Sequence, residues 1–103
     1  MEVGIRVGAL IDVTEETKRV RFLGYGVYEA DEIPDEQAGG MAPLVRAMGR
    51  ENPKIRLDNG DVVWGCECWW DKEEEFKSQI EKYKEDGYAI EEVKIQELRN
   101  ASE

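Results

Sequence analysis

Hydrophobic and polar residues alternate through positions 4–13. Ile5, Val7, Ala9, Ile11 and Val13 fall on one side, and Gly4, Arg6, Gly8, Leu10 and Asp12 on the other. A period of two is that of a half-buried strand, so the pattern predicts a strand here, with Thr14-Glu15-Glu16-Thr17 as the turn that follows. Residues 18–29 read as the returning strand, Val20 and Phe22 inward, Arg19 and Arg21 outward. Gly24 and Gly26 interrupt it, and glycine inside a strand signals a bulge, a bend or the close approach of another group. The segment Leu23–Tyr28 is therefore expected as one bent strand or two short ones.

Residues 29–42 lose the pattern. Acidic side chains, Pro34 and Gly39-Gly40 predict an exposed loop. Pro43 is placed to open a short helix, whose apolar side would be Leu44, Val45, Ala47 and Met48, and Gly49 is placed to close it. Lys54–Asp58 alternates again with Ile55 and Leu57 inward, and Asn59-Gly60 predicts a two-residue hairpin turn. Asp61–Trp70 would return as one strand. Val62, Trp64, Cys66, Cys68 and Trp70 share one face of it, and Val63, Gly65, Glu67 and Trp69 the other. Asp71 with Glu74 three residues on has the spacing of a capping box, and Phe76, Ile80 and Tyr83 follow at helical spacing, with Gly87 as the stop. Tyr88–Leu98 reads as a last strand with Val93 and Ile95 on its apolar face, and Ser102 and Glu103 as a frayed end.

These elements predict an α+β fold in a single domain over residues 1–103. Its core would be a mainly antiparallel, strongly bent sheet, or a small partly open barrel, of five to six strands. One main helix would lie near the C-terminus. A domain of this length has a modest core, so a homo-oligomer, dimer or higher, is expected.

Charge narrows the partners. The chain carries 24 acidic and 14 basic residues, a net charge of -10. Duplex DNA and anionic membranes require a basic face, so neither is expected as a partner. The cations are clustered, however: Lys18, Arg19 and Arg21 form one island, and Arg46, Arg50, Lys54 and Arg56 a second. A small anionic ligand can be held at such an island without a basic surface overall. No apolar run approaches membrane-spanning length, and the first residues lack the basic and apolar regions of a signal peptide. The expected compartment is the cytosol, with both cysteines reduced.

Catalytic chemistry has little support. There is no histidine, so no Ser-His or Cys-His pair can form, and the glycines make no phosphate-binding fingerprint. Cys66-Glu67-Cys68 offers two thiols where a structural zinc site takes four Cys or His ligands, so two structural thiols are expected, with Glu67 on the opposite face. No metal and no cofactor is implied. The informative segment is 41–54, where Met41, Arg46, Met48, Arg50, Asn52 and Lys54 combine cations, an amide and soft apolar groups between glycines. Guanidinium groups grip phosphate oxygens through paired hydrogen bonds, and an amide can read a base edge or a ribose hydroxyl. Solvated arginines on an amphipathic turn are the plainer alternative.

The segments Val20-Arg21-Phe22-Leu23-Gly24-Tyr25-Gly26-Val27-Tyr28 and Asn52-Pro53-Lys54-Ile55-Arg56-Leu57-Asp58-Asn59-Gly60, running into Val63-Trp64-Gly65-Cys66-Glu67-Cys68-Trp69-Trp70, resemble small proteins encoded by bacteriophages. Within these the chain is similar to the phage anti-Thoeris sponge proteins of the first anti-defence family, over residues 5–70. The resemblance implies a protein that sequesters cyclic ADP-ribose signals of bacterial immunity without destroying them. It also implies a pocket at a subunit interface and, for some members, a hold on cyclic oligonucleotides. The family's ligand residues do not align onto this chain position by position. The candidates therefore come from charge, loop position and chemistry: Arg46, Arg50, Asn52 and Lys54 for phosphate and polar contacts, Tyr25, Met41 and Trp69 for stacking or apolar cover, and Arg21 if its strand lines the pocket. The alternative is an acidic protein–protein interaction module that inhibits a host protein.

Overall fold

The computed structural model describes residues 2–101. Met1 lies outside the described residues, as do Ser102 and Glu103. Six strands and three helices follow in the order β1 Arg6–Thr14, β2 Arg19–Glu32, α1 Ala42–Ala47, β3 Asn52–Leu57, β4 Val62–Trp64, β5 Trp69–Lys72, α2 Glu73–Glu85, β6 Ala89–Glu92 and α3 Ile95–Ala101, with one 3₁₀ turn at Gly65–Glu67. No helix is long and apolar enough to cross a membrane.

Strands β4, β3, β2, β1 and β5 lie side by side in that order, all antiparallel, and β6 pairs with β2 in parallel. The two end strands of this path, β4 and β5, are consecutive in the chain. Five flat strands at about 4.8 Å spacing would set their edges about 19 Å apart. The five steps from Trp64 to Trp69 reach at most about 18 Å even when extended, and a 3₁₀ turn shortens them further. The sheet must therefore curl, and it stays open, since β4 and β5 do not pair. Gly26 shows how tightly it curls: a Cβ there would sit 2.2 Å from the Arg56 carbonyl oxygen on β3. Register shifts around Leu10 and on β2 beside Leu23 are bulges, which bend a strand and increase its twist.

The curl gives the sheet two apolar faces. Inside lie Val7, Ala9, Leu23, Tyr28, Ile55, Leu57 and Val63, joined by Ile95 of α3. Outside, Leu10, Val20 and Phe22 pack under Phe76 and Ile80 of α2. A third cluster joins Ala38 and Ala42 to Trp64 on β4. The segment before α1 and the start of α1 thus rest on the indole of Trp64.

Several boundaries differ from expectation, each for a physical reason. Val13 packs on the α2 side and not with Ile5, Val7, Ala9 and Ile11, because the bulge after Leu10 reverses the alternation. Strand β2 continues through Glu32, since β3 pairs with it as far as Glu32 opposite Asn52, so the irregular loop is shorter than the acidic run suggested. The hairpin turn has three residues, Asp58-Asn59-Gly60, with only Gly60 at positive φ; this is the turn-plus-bulge form and not the two-residue form. The single strand expected over 61–70 breaks at the 3₁₀ turn, so Val62, Trp64 and Cys66 join the third cluster while Cys68 and Trp70 pack inside. Asp71 belongs to β5, and α2 starts at Glu73 with Lys72 as its cap and no side-chain cap bond. Finally, the strand expected over 88–98 stops at Glu92, and Ile95 begins α3.

Candidate functional site

The segment singled out by its chemistry forms one corner of the molecule. Helix α1 ends in a two-bond turn: the Gly49 N–H donates to the Arg46 carbonyl (2.9 Å) and the Arg50 N–H to the Val45 carbonyl (3.0 Å). Gly49 has φ +66, the left-handed closing residue such an ending takes. This turn fixes the backbone of Arg50 close to that of Arg46 and delivers the chain into β3, where Asn52 and Lys54 lie two apart on one face. Lys54 pairs across the sheet with Trp64. Its ammonium stands 6.0 Å from the indole and 3.8 Å from a Glu32 carboxylate oxygen.

The arginines of this corner differ from the others in their partners. Arg6 grips Asp58 with two bonds of 2.7 Å and Glu73 with one of 2.8 Å. Arg21 holds Asp12, Arg56 holds Glu29, Arg19 approaches Glu91, and Arg99 holds Glu67. Arg46 donates only to the Asp35 carbonyl, and Arg50 has no side-chain partner among the described residues. The two arginines without a carboxylate thus lie one turn apart in an otherwise acidic protein. Two buried polar side-chain atoms without a hydrogen bond belong to the same corner, Asn52 Oδ1 and Trp64 Nε1. Such atoms are uncommon in folded proteins and call for an explanation. The corner also exposes apolar side chains: Ile33, Met41, Leu44 and Met48. Leu44 and Met48, expected on the apolar side of α1, are exposed, and Ala42 is its buried residue.

Sequence reasoning missed the group that holds this corner in place. Glu67, expected only on the strand face opposite the two cysteines, has a side chain 3% exposed, and that of its partner Arg99 on α3 is 11% exposed. One Glu67 oxygen accepts from Arg99 Nη2 (2.7 Å) and the Trp64 N–H (3.1 Å), the other from Arg99 Nε (2.9 Å) and the Gly39 N–H (2.8 Å). Arg99 also donates to the Val62 carbonyl at 3.0 Å. The carboxylate therefore ties together β4, α3 and the loop that leads into α1. A lone carboxylate inside the apolar run 62–70 was the one local sign of it; its partner, 32 residues on, has none.

The remaining candidates do not converge on the corner. Arg21 is held by Asp12 at 2.8 Å and borders a cavity of about 360 Å³ with Gly39, Gly40 and Arg99. Tyr25 lies in an aromatic group with Phe22 and Phe76 beside α2; burial raises its hydroxyl pKa above the ordinary value. Trp69 is 74% exposed. The cavities that Tyr25 and Trp69 border contain none of Arg46, Arg50, Asn52 or Lys54.

Both cysteines are free, and they point into different clusters, because the 3₁₀ turn cancels the alternation between them. Burial pushes the Cys68 thiol up to about 12 and raises Cys66 as well. No set of three Cys, Asp or Glu residues among the described residues converges as a metal site. Comparisons with protein-family models, curated proteins and solved structures find no match to this chain.

Proposed function

We propose that the protein is a phage-encoded anti-defence protein that binds and holds a phosphorylated cyclic nucleotide signal, of the cyclic ADP-ribose or cyclic oligonucleotide class, without cleaving it. The observation that carries this reading is the pair Arg46 and Arg50, cations without a carboxylate in a chain of net charge -10. An anion at this corner displaces no ion pair, whereas at Arg6, Arg21 or Arg99 it would have to compete with one. Asn52 and Lys54 extend the corner along β3 with an amide and a third cation. A ligand group reaching the Asn52 amide or the Trp64 indole would supply the partners these atoms lack. Each buried charge-assisted hydrogen bond contributes on the order of 1.5–3 kcal/mol. The reading places the protein in the host cytosol, acting as a homo-oligomer whose second subunit covers the open side of the corner.

The exposed Ile33, Met41, Leu44 and Met48 favour a second reading, the docking of a host protein on α1 and its flanks. One experiment separates the two. The purified protein is mixed with cyclic ADP-ribose isomers and cyclic di- and trinucleotides, freed of unbound ligand and heat-denatured, and the released ligand is weighed by mass spectrometry. Intact ligand supports sequestration, and altered ligand would make the protein an enzyme. No retained ligand together with a stable complex in host lysate would transfer the corner to protein docking.

A further inference from the structure

A second site stands apart from the arginine corner. Trp69 lies on β5 opposite Leu10 of β1, and its neighbour Trp70 is locked inside by stacking on Tyr28, ring centres 6.0 Å apart and planes at 10°. The strand therefore holds the Trp69 indole outward on a rigid support, 74% exposed. Folding gains little from an indole left in water, and a large aromatic surface at a fixed place suits stacking on a partner.

The indole borders a cavity of about 420 Å³ with Leu10, Asp12, Val13, Gln79 and Tyr83. Leu10 and Val13 make its wall apolar. The Gln79 amide and the Tyr83 hydroxyl have no hydrogen-bond partner among the described residues. The Asp12 carboxylate keeps acceptor capacity while Arg21 neutralises its charge. No lysine or arginine lines the cleft and the guanidinium on Asp12 is committed to it, so the lining offers a phosphate no free cation. It offers instead a flat apolar surface with an amide, a phenol and a carboxylate around it. A sugar ring presents the complement, a face of C–H groups bordered by hydroxyls that both donate and accept.

We propose that the Trp69 cleft is a binding site for a neutral saccharide ring, stacked on the indole and held at its hydroxyls by Asp12, Gln79 and Tyr83. The site is independent of the nucleotide corner and stands or falls without it.

The test is a titration with methyl glucoside, methyl galactoside, methyl mannoside and N-acetylglucosamine, followed by the indole N–H signals of the ¹⁵N-labelled protein. Trp69→Phe assigns its signal. The expected result is a saturable shift of the Trp69 signal by at least one of these sugars, with a dissociation constant on the order of 1 mM. Gln79→Ala should weaken that sugar about tenfold, since one hydrogen bond of about 1.4 kcal/mol is lost. Both substitutions are at exposed positions, and an unchanged melting temperature checks the fold. No shift with any of the four sugars at tens of millimolar would overturn the proposal. So would a shift with adenosine or uridine alone, or a Trp69 signal that moves only with protein concentration, which would assign the indole to a second copy of the chain.

Discussion

Arg99 grips both carboxylate oxygens of Glu67, at 2.9 and 2.7 Å, and through that carboxylate holds the loop that leads into α1. The pair is almost fully buried. Removing one partner leaves the other as an uncompensated buried charge, which typically costs about 3–5 kcal/mol. Arg99→Ala should therefore lower the melting temperature by roughly 12 °C or more, while the double replacement Glu67→Leu with Arg99→Met should recover most of the loss. Thermal unfolding of the three proteins checks this. A small loss in the single variant, or a double variant worse than it, would show that the pair does not anchor the corner.

Gly26 carries the curl of the sheet. Its missing Cβ makes room for the Arg56 carbonyl oxygen and the Leu57 Cα, which would lie 2.2 and 2.7 Å from it. Backbone atoms within a paired strand cannot move aside cheaply. Gly26→Ala should destabilise by about 2–3 kcal/mol, read as a lower urea midpoint with unchanged slope.

These two relationships show what was legible in the sequence and what was not. The strands and α2 follow from alternation and helical spacing, which record the burial of each side chain locally. Gly24 and Gly26 announced a bulge and a close approach, and both are present. The 3₁₀ turn at Gly65–Glu67 was not legible, because Val62–Trp70 keeps the alternation of one strand, Glu67 apart, while its two halves pack into different clusters. Helix α3 was misread for a similar reason: Val93 and Ile95 have strand-like spacing but straddle the step from β6 into the helix. Of the candidate residues, Arg46, Arg50, Asn52 and Lys54 are neighbours in sequence, on the turn that closes α1 and on the strand it leads into. Arg21, Tyr25 and Trp69 depended on how the sheet curls, which no local pattern states.

The two thiols should differ in reactivity. The reactive form is the thiolate, and burial pushes Cys68 up to about 12. In the native protein at pH 8, iodoacetamide should label Cys66 slowly and leave Cys68 untouched. Both should react in denaturant. Mass spectrometry of digests distinguishes the two sites, and equal labelling of the native protein would contradict the packing of Cys68.

Acid should weaken the fold through Arg6. A hydrogen bond from Arg6 holds the Asp58 carboxyl below its ordinary range. Glu73 is lowered first by Lys77 and then by Arg6, and Asp12 is lowered by Arg21. A carboxyl whose pKa is depressed in the folded state adds stability above its unfolded value and loses it as pH falls through the folded value. The contribution should thus be constant from pH 7 to about 5 and decline below about 4. Arg6→Ala removes the partner of Asp58 and one partner of Glu73, so its urea midpoint should fall less steeply between pH 4 and 2. Parallel profiles for the two proteins would contradict this.

The central claim is that the guanidiniums of Arg46 and Arg50, neither of which holds a carboxylate, form the anion site. The most direct measurement is calorimetric titration of the wild type and of the Arg46→Ala, Arg50→Ala double variant with the same cyclic nucleotide panel. The account predicts that the wild type binds one of these ligands and that the double variant binds it about 100-fold more weakly or worse, two lost charge-assisted bonds together. Its melting temperature should stay close to wild type, because neither guanidinium holds a carboxylate. Equal affinity in the two proteins, or no binding by the wild type to any of the panel, would contradict it.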